Sequence, residues 1–300
     1  MVMTNLFEYI ASFFADVPGI RYAFIVGPLI AVCTSLLGVT LVLKRYSFIG
    51  EGLSYTAFGS MAFAAVVGVT NNMLIALPAT VLAAVILLRS SPKTRIKGDA
   101  AVAMLAVGAL GLGYLLIALR APTNFASDVC RVLFGDVAII SLTKFEIIGC
   151  IALSVVTILL FIFFYNKIFA VTFDEDFARA TGVKTSVYNL IVAIIIGTII
   201  VVAMKLVGSL LVSALIIFPT LSSMRLFKTF KSVTISAVII SFVCFVTAMF
   251  MHMTFSLYRS AFPFIRGKTL PIGSTIVALN IIVFLVFSLI NFIKTRAKRS

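Results

Sequence analysis

The chain has no tryptophan, one histidine, ten acidic residues and four cysteines in 300 residues. Each scarcity removes a class of function. One histidine and scattered acids leave no Ser/His/Asp set and no His/Glu pair for a metal hydrolase. No GxxxxGK[ST] occurs: GVKTS at 182–186 lacks the upstream glycine that a phosphate cradle needs, so this chain is not itself a P-loop ATPase. Cys33, Cys130, Cys150 and Cys244 lie in or beside apolar stretches without CxxC spacing. They read as buried thiols, neither disulfides nor a metal cluster. The first residues show no basic n-region and no small-residue cleavage site, so no removable signal peptide is expected.

Charge is also sparse. Charged residues make up 11% of the chain, and hydrophobic residues 62%, with a mean hydropathy of +1.22. Soluble domains average about 25% charged and roughly 45–50% apolar. A water-soluble globule cannot hide this much apolar surface, which excludes a soluble enzyme, a disordered protein and a disulfide scaffold. A span takes about 20 apolar residues. The sequence therefore predicts an all-α polytopic membrane protein with about 7–9 transmembrane helices, forming one membrane domain over 1–300. The net charge of +14 does not signal nucleic acid, because the basic residues sit in short clusters between apolar runs.

Apolar runs fall at 22–43, 53–69, 72–88, 100–119, 145–165, 187–218, 233–256 and 271–293. The run at 187–218 is too long for one ordinary span and contains Gly197, Gly208 and a Lys205 interruption before Pro219. It predicts a broken helix, one full span followed by a shorter returning one. With the basic loop 89–97 placed inside, alternation puts sixteen Lys and Arg inside and eight outside, provided the chain turns back at 206–218. Residues 1–19 are too short and interrupted to span. Leu6, Ile10, Phe13 and Phe14 share a helical face opposite Glu8, which fits an N-terminal interfacial helix ended by Pro18-Gly19. The small residues Ala101, Ala106, Gly108, Ala109, Gly111 and Gly113 would let their helix approach a neighbour closely.

Three stretches carry candidate function. In RYSFIGEGLSYTAFGSMAFA (45–64), Glu51 and Tyr55 lie four apart and share a helical face, with Ser54 beside them. A carboxylate in a span costs roughly 2.5–3.5 kcal/mol on insertion scales, so it usually faces a cavity or a partner. The bland reading places Glu51 at headgroup level, paired with Lys44 or Arg45. In VTFDEDFARATGVKTSVY (171–188), Asp174, Glu175 and Asp176 suit a helix start and Gly182 its C-terminal cap. That segment is a docking helix or a solvated connector. In VVAMKLVGSLLVSALIIFPTLSS (201–223), Gly208 and Pro219 bracket Ser209, Ser213 and Ala214. That stretch is either a discontinuous helix lining a pathway or a kinked span. His252 stands among Met249, Met251 and Met253, but Met251 and Met253 face opposite ways on a helix, which weakens a soft-metal reading.

From about residue 22 to 290 the chain resembles the permease subunits of zinc/manganese/iron-type metal-ion ABC transporters. KRYSFIGEGLSYTAFGS is similar to the family stretch RxxSLxGDAxSHAxxPG, and VLFGDVAIIS at 132–141 to LFGxxLxVS. TFDEDFARATGV at 172–183 resembles xFDPxxAxxxGV. The 201–223 stretch resembles VxVGxLLxxALLxxPAATA, and LPIGSTIVALNIIVFLV at 270–286 resembles xPxGxTIVLxxxxxFLx. Five such stretches in order are specific together.

The resemblance implies an importer permease in the bacterial cytoplasmic membrane, passing a divalent metal ion as cargo and holding no permanent cofactor. It implies a second permease copy, a cytoplasmic ABC ATPase, an extracytoplasmic solute-binding protein and surrounding lipid as partners. Glu51, Ser54, Tyr55, Gly208, Ser209, Ser213 and Pro219 would line the pathway. Phe173, Asp174, Glu175, Asp176, Ala178 and Gly182, within a cytoplasmic coupling loop at 172–186, would meet the ATPase. Where the family has an Asp and a His four apart as candidate metal ligands, this chain has Glu51 and Tyr55. A phenol is a poorer ligand than imidazole for a borderline metal. Other readings are a permease for a metal chelate or another small solute, and an ion-coupled transporter or channel working without an ATPase.

Overall fold

Backbone amides cannot stay unpaired in hydrocarbon, so apolar runs of this length close their hydrogen bonds within helices. The computed structural model describes residues 18–69, 72–90, 98–120, 144–257 and 272–297. Eleven helices and no strand occur among them. In chain order they are α1 (Pro18–Leu43), α2 (Ile49–Val67), α3 (Met73–Ser90), α4 (Gly98–Arg120), α5 (Lys144–Phe163), α6 (Tyr165–Phe173), α7 (Glu175–Ala180), α8 (Thr185–Val207), α9 (Ser209–Leu226), α10 (Phe230–Leu257) and α11 (Ile272–Ala297).

Six of these, α1, α4 and α8 to α11, are each long and apolar enough to cross a membrane. The count reaches seven if α5 and α6, bent by 74° at Phe164, form one span. α3 is a shorter apolar helix. α2, 19 residues long, carries Glu51, Ser54, Tyr55, Thr56 and Ser60 within an otherwise apolar series. The expected N-terminal interfacial helix lies outside the described residues, and Pro18 and Gly19 form the start of α1. The 132–141 stretch and Cys130 also lie outside.

The break in the 187–218 run falls at Gly208, with φ 92° and ψ 155°. This region of backbone space is essentially reserved for glycine. α8 begins near α1 and α6, through Asn189 and Tyr188. α9 ends four residues before Phe230, which packs on Tyr165 and Phe169 of α6. Both termini thus share one end of the bundle, and the chain reverses at Gly208. Lys44, Arg89, Lys167, Arg179 and Lys184 gather at this end, which the positive-inside rule assigns to the cytoplasm.

The core forms around α1 and α9. Buried positions make up 72% of the α1 span and 61% of the α9 span, against 17% for α4 and 11% for α11. Val26, Ile30, Leu41, Ile49, Leu53, Ile196, Ile200, Leu211, Leu215 and Phe245 fill the centre. Cys33, Cys150 and Cys244 are buried free thiols, and Cys33 Sγ donates to the Ser154 carbonyl at 3.6 Å. Outward faces such as Met104, Val107, Leu112 and Leu119 of α4 are apolar and need a non-aqueous surrounding.

The small residues of α4 divide between two faces. A Cβ built at Gly59 of α2 would lie 2.7 Å from the Ala109 carbonyl oxygen, and one at Gly113 would lie 2.9 Å from Phe58. Gly108 and Gly111 instead face open space. Close approach to a neighbour therefore uses Ala109 and Gly113 and not the whole expected series.

Candidate functional site

α2 enters the bundle from the basic end with Glu51 in its first turn. Two opposite flanks pack tightly: Gly50 lies against Ile216 and Ser213 of α9 and Ala57 with Val201 and Met204 of α8, while Gly52 lies against Val102 of α4. Thr56 and Ser60 turn their hydroxyls back onto the helix, to the Gly52 and Thr56 carbonyls at 2.8 Å each. Glu51 and Tyr55 remain half-buried on the more open side. The Tyr55 phenol and the Glu51 carboxylate lie close enough to interact electrostatically, and Tyr114 of α4 stands near them. Tyr114 in turn meets the Phe58 ring at 5.8 Å.

Ser54, three residues after Glu51, turns into the packed interior. It is fully buried, and its hydroxyl has no hydrogen-bond partner. Ser209, Ser213 and Pro219 are buried along α9, where Ser213 Oγ donates to the Ser209 carbonyl at 3.1 Å. The structure thus brings Glu51 and Tyr55 together, and separately packs Ser213 beneath Gly50. Gly50, the residue before Glu51, packs on Ser213 and Ile216 of α9. Pairing of Lys44 with Glu51 is not found, because the Lys44 ammonium donates to Asn189 Oδ1 at 2.7 Å. No group of three or more His, Cys, Asp and Glu able to hold a metal occurs among the described residues. Met249 and Met253 beside His252 are buried, whereas Met251 is exposed.

Two features are invisible in the sequence pattern. Tyr114 sits in an apolar run with nothing local to mark it. Asp99, in the first turn of α4, has one buried carboxylate oxygen without a partner, at a helix end whose dipole favours negative charge.

At the basic end, α6 and α7 form a bent platform. Phe169 meets Phe173 at 4.8 Å and Phe230 at 5.2 Å, which ties α6 to the start of α10. Asp174 caps α7 by accepting from the Phe177 amide at 2.9 Å. Glu175 and Arg179 pair at 3.4 Å, Ala178 is buried, and Gly182 takes φ 84° in the turn that closes the helix. Phe173 and Phe177 stay exposed, at 58% and 64%. The result is a short capped helix presenting a bare aromatic ring beside two acids.

The chain matches the profile of the ABC 3 transport family over residues 16–291. It belongs to that family. A "Probable metal transport system membrane protein" of Thermotoga maritima is 31% identical over 77% of this chain and 80% of its own length. The "Manganese import system permease protein ScaB" of Streptococcus gordonii is 23% identical, covering 89% of each. The "High-affinity zinc uptake system membrane protein ZnuB" of Haemophilus influenzae is 26% identical over 73% of this chain and 82% of its own. Among solved structures, PsaBC from Streptococcus pneumoniae in complex with Fab superposes with a TM-score of 0.74 at 21% identity, over 96% of this chain and 95% of that one. This likeness shows a shared fold over nearly the whole of both chains.

Proposed function

We propose that this member of the ABC 3 transport family is the permease subunit of an ATP-driven importer for a divalent transition metal in the bacterial cytoplasmic membrane. The observation that carries the reading is the Glu51–Tyr55 pair. Both side chains are half-buried on α2, a 19-residue helix packed within the bundle. Relatives named for manganese and zinc uptake support the class of cargo.

Glu51 supplies a hard oxygen, which attracts a partly hydrated cation without holding it tightly. Tyr55, beside that carboxylate, offers a neutral oxygen. One carboxylate per chain is too few for a closed metal site, so a second copy presenting the same face would complete the path. Zinc, manganese and iron all fit an oxygen-dominated relay that is meant to release its ion. An extracytoplasmic binding protein would deliver the metal at the end opposite Lys44. A cytoplasmic ABC ATPase would dock on α7, with Phe177 as anchor and Phe173, Asp174, Glu175, Asp176, Ala178 and Gly182 shaping the surface. Hydrolysis of ATP belongs to that partner, and this chain contributes the path and the coupling helix.

The test is total elemental content of cells lacking this chain, complemented with wild type or with Glu51→Gln, under limitation for each transition metal in turn. A deficit in one element, rescued by wild type and not by Glu51→Gln, is the expected result. No deficit under any limitation would overturn the free-metal reading and turn attention to a metal chelate.

A further inference from the structure

Lys44 directly follows the last residue of α1, and its neighbour Arg45 is exposed. An ammonium on a four-carbon stem ordinarily reaches for water. Lys44 instead folds inward into a small pocket between α1, α6 and α8, lined by Thr40, Thr172, Tyr188 and Asn189. There it donates to Asn189 Oδ1 at 2.7 Å. Burial lowers its affinity for the proton, and the charge of Glu175, the first residue of α7, pulls the other way.

Both ends of this contact are stiff. On one side α7 runs into α8 through a closed turn, with Val183 N bonded to the Ala178 carbonyl and Thr185 N to the Val183 carbonyl. Asn189 follows one turn later, on the first turns of α8. On the other side Arg45 holds a left-handed φ of 62°, Tyr46 N bonds to the Leu41 carbonyl, and the Tyr46 hydroxyl donates to the Leu87 carbonyl at 3.2 Å. α2 starts three residues after Tyr46, and Glu51 lies in its first turn. The aromatic contacts of α6 lead away from α2, toward α10.

We infer that Lys44, through its hydrogen bond to Asn189, is a positioning residue that transmits movement of the α7–α8 unit to the α1–α2 turn and so to Glu51. A rigid-body shift of α7 and the first turns of α8 would draw Asn189, and with it the one turn that fixes where α2 begins. The inference rests on the functional reading above, because it needs an ATPase to move α7.

The experiment uses the permease–ATPase complex in proteoliposomes together with its extracytoplasmic binding protein, with Mn²⁺, Zn²⁺ and Fe²⁺ each supplied alone. Ions accumulated per ATP hydrolysed are compared for wild type, Lys44→Met, Asn189→Leu, the double variant and Lys44→Arg. Each of the first two variants is expected to lower the ratio at least about fivefold, the low end of typical allosteric coupling. ATP hydrolysis and complex yield should stay at the wild-type level. The double variant should fall no further than either single one, because both remove the same contact. Lys44→Arg should keep most of the ratio. An unchanged ratio in Lys44→Met, or losses that multiply in the double variant, would overturn the inference. If Lys44→Met does not assemble, Asn189→Leu, which breaks the same contact from the α8 side, decides: a lowered ratio supports the inference and an unchanged one overturns it. A wild-type complex that accumulates none of the three metals defeats the functional reading. A wild-type complex that pumps, alongside an equally coupled Lys44→Met, defeats this inference alone.

Discussion

Gly59 of α2 and Ala109 of α4 pack so closely that a Cβ on the glycine would come within 2.7 Å of the Ala109 carbonyl oxygen. A backbone oxygen cannot swing aside as a side-chain tip does, so any larger residue must push the helices apart. Overpacking of this kind costs about 1–3 kcal/mol. Gly59→Val should therefore lower the thermal unfolding midpoint of the purified chain in detergent. Gly108→Ala, which meets open space on the same pair's outer side, should leave it unchanged. Equal effects would mean that the α2–α4 contact is not made as described.

Gly208 and Gly182 both hold positive φ, but they face different demands. Gly208, at φ 92° and ψ 155°, sits where a side chain costs roughly 1–3 kcal/mol. Gly182 at φ 84° has free space around its would-be Cβ, so only the left-handed penalty of about 1–2 kcal/mol applies. Gly208→Ala should depress folded yield clearly. Gly182→Asn should be nearly silent in the same assay, since asparagine tolerates a left-handed backbone.

What was legible in the sequence was local, and what was missed was a choice between faces. Gly208 marks the reversal within one over-long run, Asp174 and Gly182 punctuate α7, and basic clusters sort the loops. The bend at Phe164 has no such mark, because no glycine or proline accompanies it. In lipid the driving force for helix association is packing, not hydrophobicity. Hydropathy therefore could not say that Gly113 meets α2 while Gly108 and Gly111 look outward. The Lys44–Asn189 bond joins residues 145 apart, and no periodicity reports such a pair.

Glu51→Gln keeps shape and hydrogen-bonding capacity but removes the charge that would attract a cation. Uptake of the cognate metal should fall to background, while expression and thermal stability hold. Normal uptake would reduce Glu51 to a charge at the helix entrance. Tyr55→His introduces a nitrogen ligand at the same turn. Competition between zinc and manganese for uptake should shift toward zinc. No shift would place selectivity elsewhere, for example in a binding protein.

The exposed ring of Phe177 gives the last prediction. At 64% exposure it contributes little to the fold of this chain. Its removal should thus be nearly neutral for stability, as surface changes usually are. The cap beneath it is different. Asp174 secures the start of α7 by accepting from the Phe177 amide, and loss of such a cap costs about 1 kcal/mol. The two substitutions should therefore separate folding from docking. Phe177→Ala should purify in wild-type yield with an unchanged unfolding midpoint, yet fail to retain a co-expressed ATPase through size exclusion. Asp174→Ala should fray α7, weaken retention partly and lower the midpoint slightly. If Phe177→Ala retains the ATPase fully, the aromatic anchor is not the docking contact, and the acidic first turn of α7 becomes the surface to test.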